Sequence, residues 1–145
     1  MVDSVRLRAL LARLHHRCGR LERYAAMGGD EYLADEEKID ASKYLLITAA
    51  EHALSVANHT IASEGFRAPS DFADAFRSLG EAGVLPSESA ERLENLARFR
   101  NLLVHEYAVV DNRRVHRFLQ NDLRDLAAFA RTILDAFPEL TSEQE

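Results

Sequence analysis

The stretch Val5-Arg6-Leu7-Arg8-Ala9-Leu10-Leu11-Ala12-Arg13-Leu14-His15-His16-Arg17-Cys18-Gly19-Arg20-Leu21 decides the fold. Its apolar residues Leu7, Leu10, Leu11, Leu14, Cys18 and Leu21 recur three or four residues apart. On a helix of about 3.6 residues per turn, that spacing draws one apolar stripe and leaves the arginines outside it. A strand would alternate apolar and polar residues, and no segment of the chain shows that pattern with the turn chemistry strands need. Met27-Gly28-Gly29-Asp30 ends this helix and can cap the next.

The same period continues along the chain. A second helix is expected over roughly 35–63, with Ile39, Leu46, Ala49, Ala50, Ala53, Val56, Ala57 and Ile61 towards the core. Its small residues let another helix approach closely. Gly65 and Pro69 break the chain, and Ser70 then caps a short helix through about Leu79, anchored by Phe72 and Phe76. Gly80 and Gly83 end it. Pro86-Ser87-Glu88 opens a fourth helix, in which Leu93, Leu96, Ala97, Leu103 and Val104 are apolar. Asp111-Asn112 starts a fifth, carried by Val115, Phe118, Leu119, Leu123, Leu126, Phe129, Ile133 and Leu134 to about Phe137. The expected fold is all-α, an up-and-down antiparallel bundle of about five helices. One domain is expected over 1–137, with a frayed tail over 138–145. No internal repeat, low-complexity tract or linker is visible.

A chain of 145 residues suits one domain with a real core. No stretch approaches the roughly 20 apolar residues that span a bilayer. The first residues keep arginines among their apolar positions and lack a secretory core, so a cytoplasmic protein is expected, with no membrane contact. Cys18, the single cysteine, excludes an internal disulfide framework and a thiolate-rich metal site; it reads as a buried structural thiol.

A net charge of −6 argues against a protein that coats nucleic acid along its whole surface. The charge is nevertheless uneven. Residues 1–30 carry six arginines against Asp3, Glu22 and Asp30, and residues 91–118 carry six against Glu91, Glu94, Glu106 and Asp111. Residues 31–64 reverse the balance, with Lys38 and Lys43 against seven acids. The pattern fits either solvated helix faces or a focused basic cleft with an acidic surface elsewhere.

Chemistry concentrates in Arg98-Phe99-Arg100-Asn101-Leu102-Leu103-Val104-His105-Glu106-Tyr107. Arginine neutralises phosphate through a forked, charge-assisted contact, and histidine moves protons near neutral pH. Asn101 and His105 are four apart and share a helix face. Arg100 is displaced from His105 by roughly 140° of helix rotation, within reach of the same cleft for so long a side chain. Leu102, Leu103 and Val104 can hold the helix while the polar groups project. Tyr107 falls near the helix end, where its phenol can reach the same pocket. Spacing alone leaves two readings open: a site for phosphodiester chemistry, or a helix end in which His105 caps and Tyr107 packs at the rim.

The other histidines carry weaker signals. His15 and His16 lie beside Arg13 and Arg17 on a basic face that is either solvated or touches RNA. His52 and His59 are seven apart on one helix face; structural roles are expected, since a metal site needs more ligands. Asn58 is expected as a buried hydrogen-bond partner between helices. His116, among Arg113, Arg114 and Arg117, is expected at the surface or against RNA.

The run R-N-L-L-V-H-E-Y resembles the R-x4-H-x-Y motif of HepT toxins in the HEPN superfamily. The flanks are similar too: Ala57-Asn58-His59, the segment F-R-A-P-S-D-F-A-D-A-F from Phe66, and E-A-G-V-L-P from Glu81. The resemblance covers about residues 5–135 in order. It implies a helical homodimer that places two Arg/His sets across one cleft. It also implies a metal-independent endoribonuclease acting as a toxin, with Arg100 and His105 catalytic and Asn101 supporting. A companion minimal nucleotidyltransferase antitoxin of the MntA type would adenylylate Tyr107. Arg98, Arg113, Arg114 and Arg117 are the expected RNA-binding residues. No cofactor is expected, and no carboxylate cluster stands ready to hold a metal. One departure is Ser55, where the family's pattern carries an acid just before V-A-N-H; Glu51 lies one helical turn earlier. The alternatives are a docking partner that uses the same cleft to bind a nucleotide or the nucleotidyltransferase without cutting RNA, and a purely structural adaptor.

Overall fold

Asp3 opens the first helix by accepting a hydrogen bond from the Arg6 amide, and α1 then runs over Ser4–Ala25. A computed structural model describes residues 2–141 of the chain. The elements that follow are α2 (Gly29–Leu33), α3 (Glu36–Glu64), α4 (Phe72–Glu81), α5 (Ser87–His105), α6 (Asn112–Asn121) and α7 (Leu123–Ala136). No strand occurs among the described residues, and the all-helical bundle stands as expected. The stripe of α1 is buried throughout, Cys18 included, and packs chiefly on α3. Burial pushes the Cys18 thiol up to about 12, with Glu22 adding to the shift, so it behaves as an inert apolar side chain.

Three boundaries differ from expectation. The turn after α1 contains a further short helix, α2, which seats Tyr32 in the core. The Tyr32 hydroxyl meets Ser42 Oγ at 2.6 Å, and its ring stacks on His116 at 4.4 Å between centroids. The expected fifth helix is two, α6 and α7, meeting at Asn121–Asp122. The buried stripe Val115, Leu119, Leu123, Leu126, Phe129 and Ile133 keeps its register across the break, so the period does not reveal it. The cap of α4 is Asp71, whose carboxylate accepts from the Asp74 amide; Ser70 instead donates its own amide and hydroxyl to Asp74. After α7, Pro138–Leu140 forms one 3₁₀ turn that buries Leu140 against α1. The remaining residues of the expected tail, 142–145, lie outside the described residues.

The pair α4 and α5 positions the site. Gly80 is the reason they lie so close: a Cβ there would sit 2.9 Å from the Ala90 Cβ. Gly83 completes the turn between them at φ 81°, in the left-handed region that glycine occupies without strain.

Candidate active site

The motif occupies the C-terminal end of α5, which stops at His105. Phe99 and Leu103 are buried and hold this end of the helix in the core. Arg100, one residue on from Phe99 and about 100° further round the helix, reaches towards α3 and α4. Its Nη2 donates to Glu51 Oε2 at 2.5 Å, its Nη1 donates to Asn101 Oδ1 at 3.0 Å, and its guanidinium lies 4.9 Å from the Phe72 ring centre. Its Nε is buried without a hydrogen-bond partner among the described residues. Three elements thus fix one cation, and Asn101 acts by orienting it. His105 is exposed at the last helical position, and its imidazole makes no hydrogen bond among the described residues.

Tyr107 lies just past the helix, half-buried. Its hydroxyl donates to the Asp40 carbonyl at 3.1 Å, and Lys43 Nζ sits 4.7 Å over its ring. The same Lys43 donates to the Tyr107 carbonyl at 2.9 Å. Burial raises the Tyr107 phenol above its ordinary range, and the Asp40 charge and hydrogen bond add to the shift. The phenol is therefore latched to α3, not free at the surface.

The other arginines point elsewhere. Arg98 and Arg100 are two residues apart, roughly 200° around the helix, so they leave opposite faces. Arg98, Arg114 and Arg117 line a groove of about 580 Å³ between α5 and α6, with Arg92 at one end. Its floor is Phe99 stacked on Phe118 at 4.4 Å, and the Arg114 guanidinium lies 5.1 Å from the Phe99 ring centre. Arg113 is exposed but does not line this groove, and neither Arg100 nor His105 enters it.

Three expectations about polar residues need correction or completion. His116 is neither at the surface nor available to RNA: it is buried, stacked on Tyr32, and donates through Nε2 to the Tyr24 carbonyl at 3.1 Å. It follows Val115 on the inward side of α6, while Arg114 and Arg117 face out. Asn58 is exposed, so it bridges no buried helix pair. His59 is structural as expected, accepting from the Asp3 amide at 3.1 Å. Two further residues contribute beyond the charge and the core anchor their sequence positions suggest: Lys43, which holds Tyr107, and Phe72, which faces Arg100. Lys43 carried a signal, since it interrupts the stripe between Ile39 and Leu46 and is buried there.

Fold and site together define a helical bundle that displays a clamped arginine and a free histidine at one helix end. Residues 14–133 match the family described as "Ribonuclease HepT-like", and the chain belongs to that family. The fold is shared with several solved structures. A tri-AMPylated Shewanella oneidensis HEPN toxin in complex with MNT antitoxin is 21% identical, with 93% of this chain and 99% of that one covered at a TM-score of 0.82. YutE of Bacillus subtilis, described as a cytosolic protein of unknown function, is 20% identical over 99% and 96% of the two chains, also at 0.82. A toxin–antitoxin crystal structure with AMP-PNP is 19% identical over 89% and 97%, at 0.82. No curated protein matches the chain. No described helix is long and apolar enough to cross a membrane.

Proposed function

We propose that this chain is the toxin of a toxin–antitoxin pair in the cytoplasm and acts as a metal-independent endoribonuclease on cellular RNA, tRNA or mRNA. The observation that carries the reading is the contrast within one helix end, in a chain of a ribonuclease family: Arg100 is clamped by Glu51, Asn101 and Phe72, while His105 is left open to solvent. In this mechanism the RNA's own 2′-hydroxyl attacks the adjacent phosphorus and the 5′-oxygen of the next nucleotide leaves. His105 transfers protons as general base or acid, a contribution of about 10²–10⁴ in rate. Arg100 stabilises charge on the phosphoryl oxygens. Glu51 takes the place of the acid that Ser55 does not supply, by holding Arg100. The groove arginines Arg98, Arg114 and Arg117, with Arg113 beside them, hold the flanking strand.

A homodimer completes the site. Val104, next to His105, is 42% exposed, and Val109 just past the motif is 74% exposed. Apolar side chains beside a catalytic histidine suit a second copy of the chain, and a two-fold axis would bring two Arg/His sets together. A minimal nucleotidyltransferase is the proposed antitoxin, silencing the toxin by adenylylating Tyr107. The complexes among the structural relatives support this partner. The engagement of Arg100 by Glu51 favours one second reading, a cleft that docks a nucleotide or the antitoxin without cutting. Incubation of the purified chain with total RNA separates the two. The nuclease reading predicts cleavage that is lost in His105→Ala and in Arg100→Ala; intact RNA with the wild-type chain supports docking alone.

A further inference from the structure

A second basic site lies on the α1 side of α3. Arg13, His16 and Arg17 share one face of α1 by their three- and four-residue spacing, and with His52 of α3 they line a pocket of about 560 Å³. Ala12, with its short side chain, leaves the pocket open. Among the described residues neither Arg13 nor Arg17 pairs with a carboxylate, in contrast to Arg67, Arg77, Arg92, Arg98 and Arg100. His52 Nε2 is buried with no hydrogen-bond partner among the described residues. Burial lowers the His52 pKa, and the charges of Arg17 and then Arg13 lower it further, while Glu51 opposes them. The two guanidinium fields therefore converge on this imidazole.

We infer that this pocket is a phosphate-binding site that holds a backbone phosphate of the RNA strand away from the point of cleavage. Two guanidinium forks with no carboxylate partner among the described residues supply the charge-assisted donors a phosphate oxyanion takes, and the His16 and His52 rings line the same pocket. The source of the phosphate is argued from position. Glu51, which clamps Arg100, and His52, which enters the pocket, are consecutive on α3, with Cα atoms about 3.8 Å apart. A strand seated at Arg100 would reach this pocket by crossing α3 between Glu51 and His52. The strand assignment rests on the nuclease reading; the anion site itself does not.

Two measurements on the full chain test it. In the first, inorganic phosphate is titrated while the imidazole signals of His52 and His16 are followed by NMR. Saturable shifts are expected, lost in the double variant Arg13→Gln/Arg17→Gln and reduced in Arg13→Gln, whose side chain is exposed and whose loss leaves the helix intact. No shift at tens of millimolar phosphate overturns the site. In the second, binding of a single-stranded RNA is measured against salt in a His105→Ala background, so that the RNA survives. The double variant should weaken binding about tenfold and lower the log–log salt slope by about 0.7, the amount for one single-strand phosphate contact. Phosphate-dependent shifts with unchanged RNA binding would overturn the strand assignment and leave a site for small phosphates. Phosphate-dependent shifts in a chain that neither binds nor cuts RNA would refute the nuclease reading and keep the anion site.

Discussion

At the residue scale the account rests on what surrounds Arg100 and Tyr107. The guanidinium engages Asn101 and Glu51 through different nitrogens and lies against Phe72. An ammonium cannot make that fork and stack together. Arg100→Lys should therefore keep the fold but lower RNA cleavage about 10²-fold, read as initial rates; near-normal rates would show that only the charge matters. Tyr107 donates its hydroxyl to Asp40 and titrates above its ordinary range, so at neutral pH it is a protonated, latched phenol. Adenylylation requires it to leave that latch. Tyr107→Phe should block addition of AMP and stay toxic beside an active nucleotidyltransferase, as intact-mass spectrometry after co-expression would record. Persisting mass addition would place the modification elsewhere. That Arg100 and His105 lie together at one helix end was legible because the spacing is local, five residues apart on α5. The clamp was only half legible: Glu51 and Lys43 act on residues 49 and 64 positions away, and no period encodes such a contact.

At the element scale, stability near the site depends on how α4 begins. Asp74 is buried and accepts from Arg67, from the Ser70 amide and from the Ser70 hydroxyl. Arg67 first, then the Ser70 amide, holds its carboxyl well below the usual carboxylate range. Because the folded pKa lies below the unfolded one, the contribution is fully present above the unfolded value and is lost as pH falls through the folded one. Asp74→Asn should lower the Tm at pH 7 and flatten the fall in Tm on acidification below pH 4. A variant with an unchanged acid limb would show that another carboxylate carries it. The helices themselves were legible wherever an apolar stripe of several turns existed. The α6/α7 break was not, because the stripe runs through it in register. Ser70 and Asp71 are both good caps, and only the competing bond from Ser70 to Asp74 decides between them.

At the scale of the whole molecule, an acidic chain leaves Arg13, Arg17, Arg114 and Arg117 without a carboxylate partner among the described residues, and the proposed RNA path depends on them, while the proposed dimer depends on exposed valines. Burying Val104 and Val109 against a second copy predicts a dimer by light scattering at micromolar concentration. Val104→Asp should shift it towards monomer and reduce cleavage together with dimer content. A wild-type chain that is monomeric yet fully active would refute the two-fold site. Charge segregation was legible from composition along the chain. That Arg98 and Arg100 leave different faces follows from helix spacing; which neighbours each face meets followed only from the fold. The most direct test of the central claim is the chemistry of the RNA ends that the purified chain leaves. The account predicts 2′,3′-cyclic phosphate and 5′-hydroxyl ends, formed equally with EDTA and absent with His105→Ala. Ends carrying a 3′-hydroxyl, a requirement for metal, or undiminished cleavage by His105→Ala would contradict it.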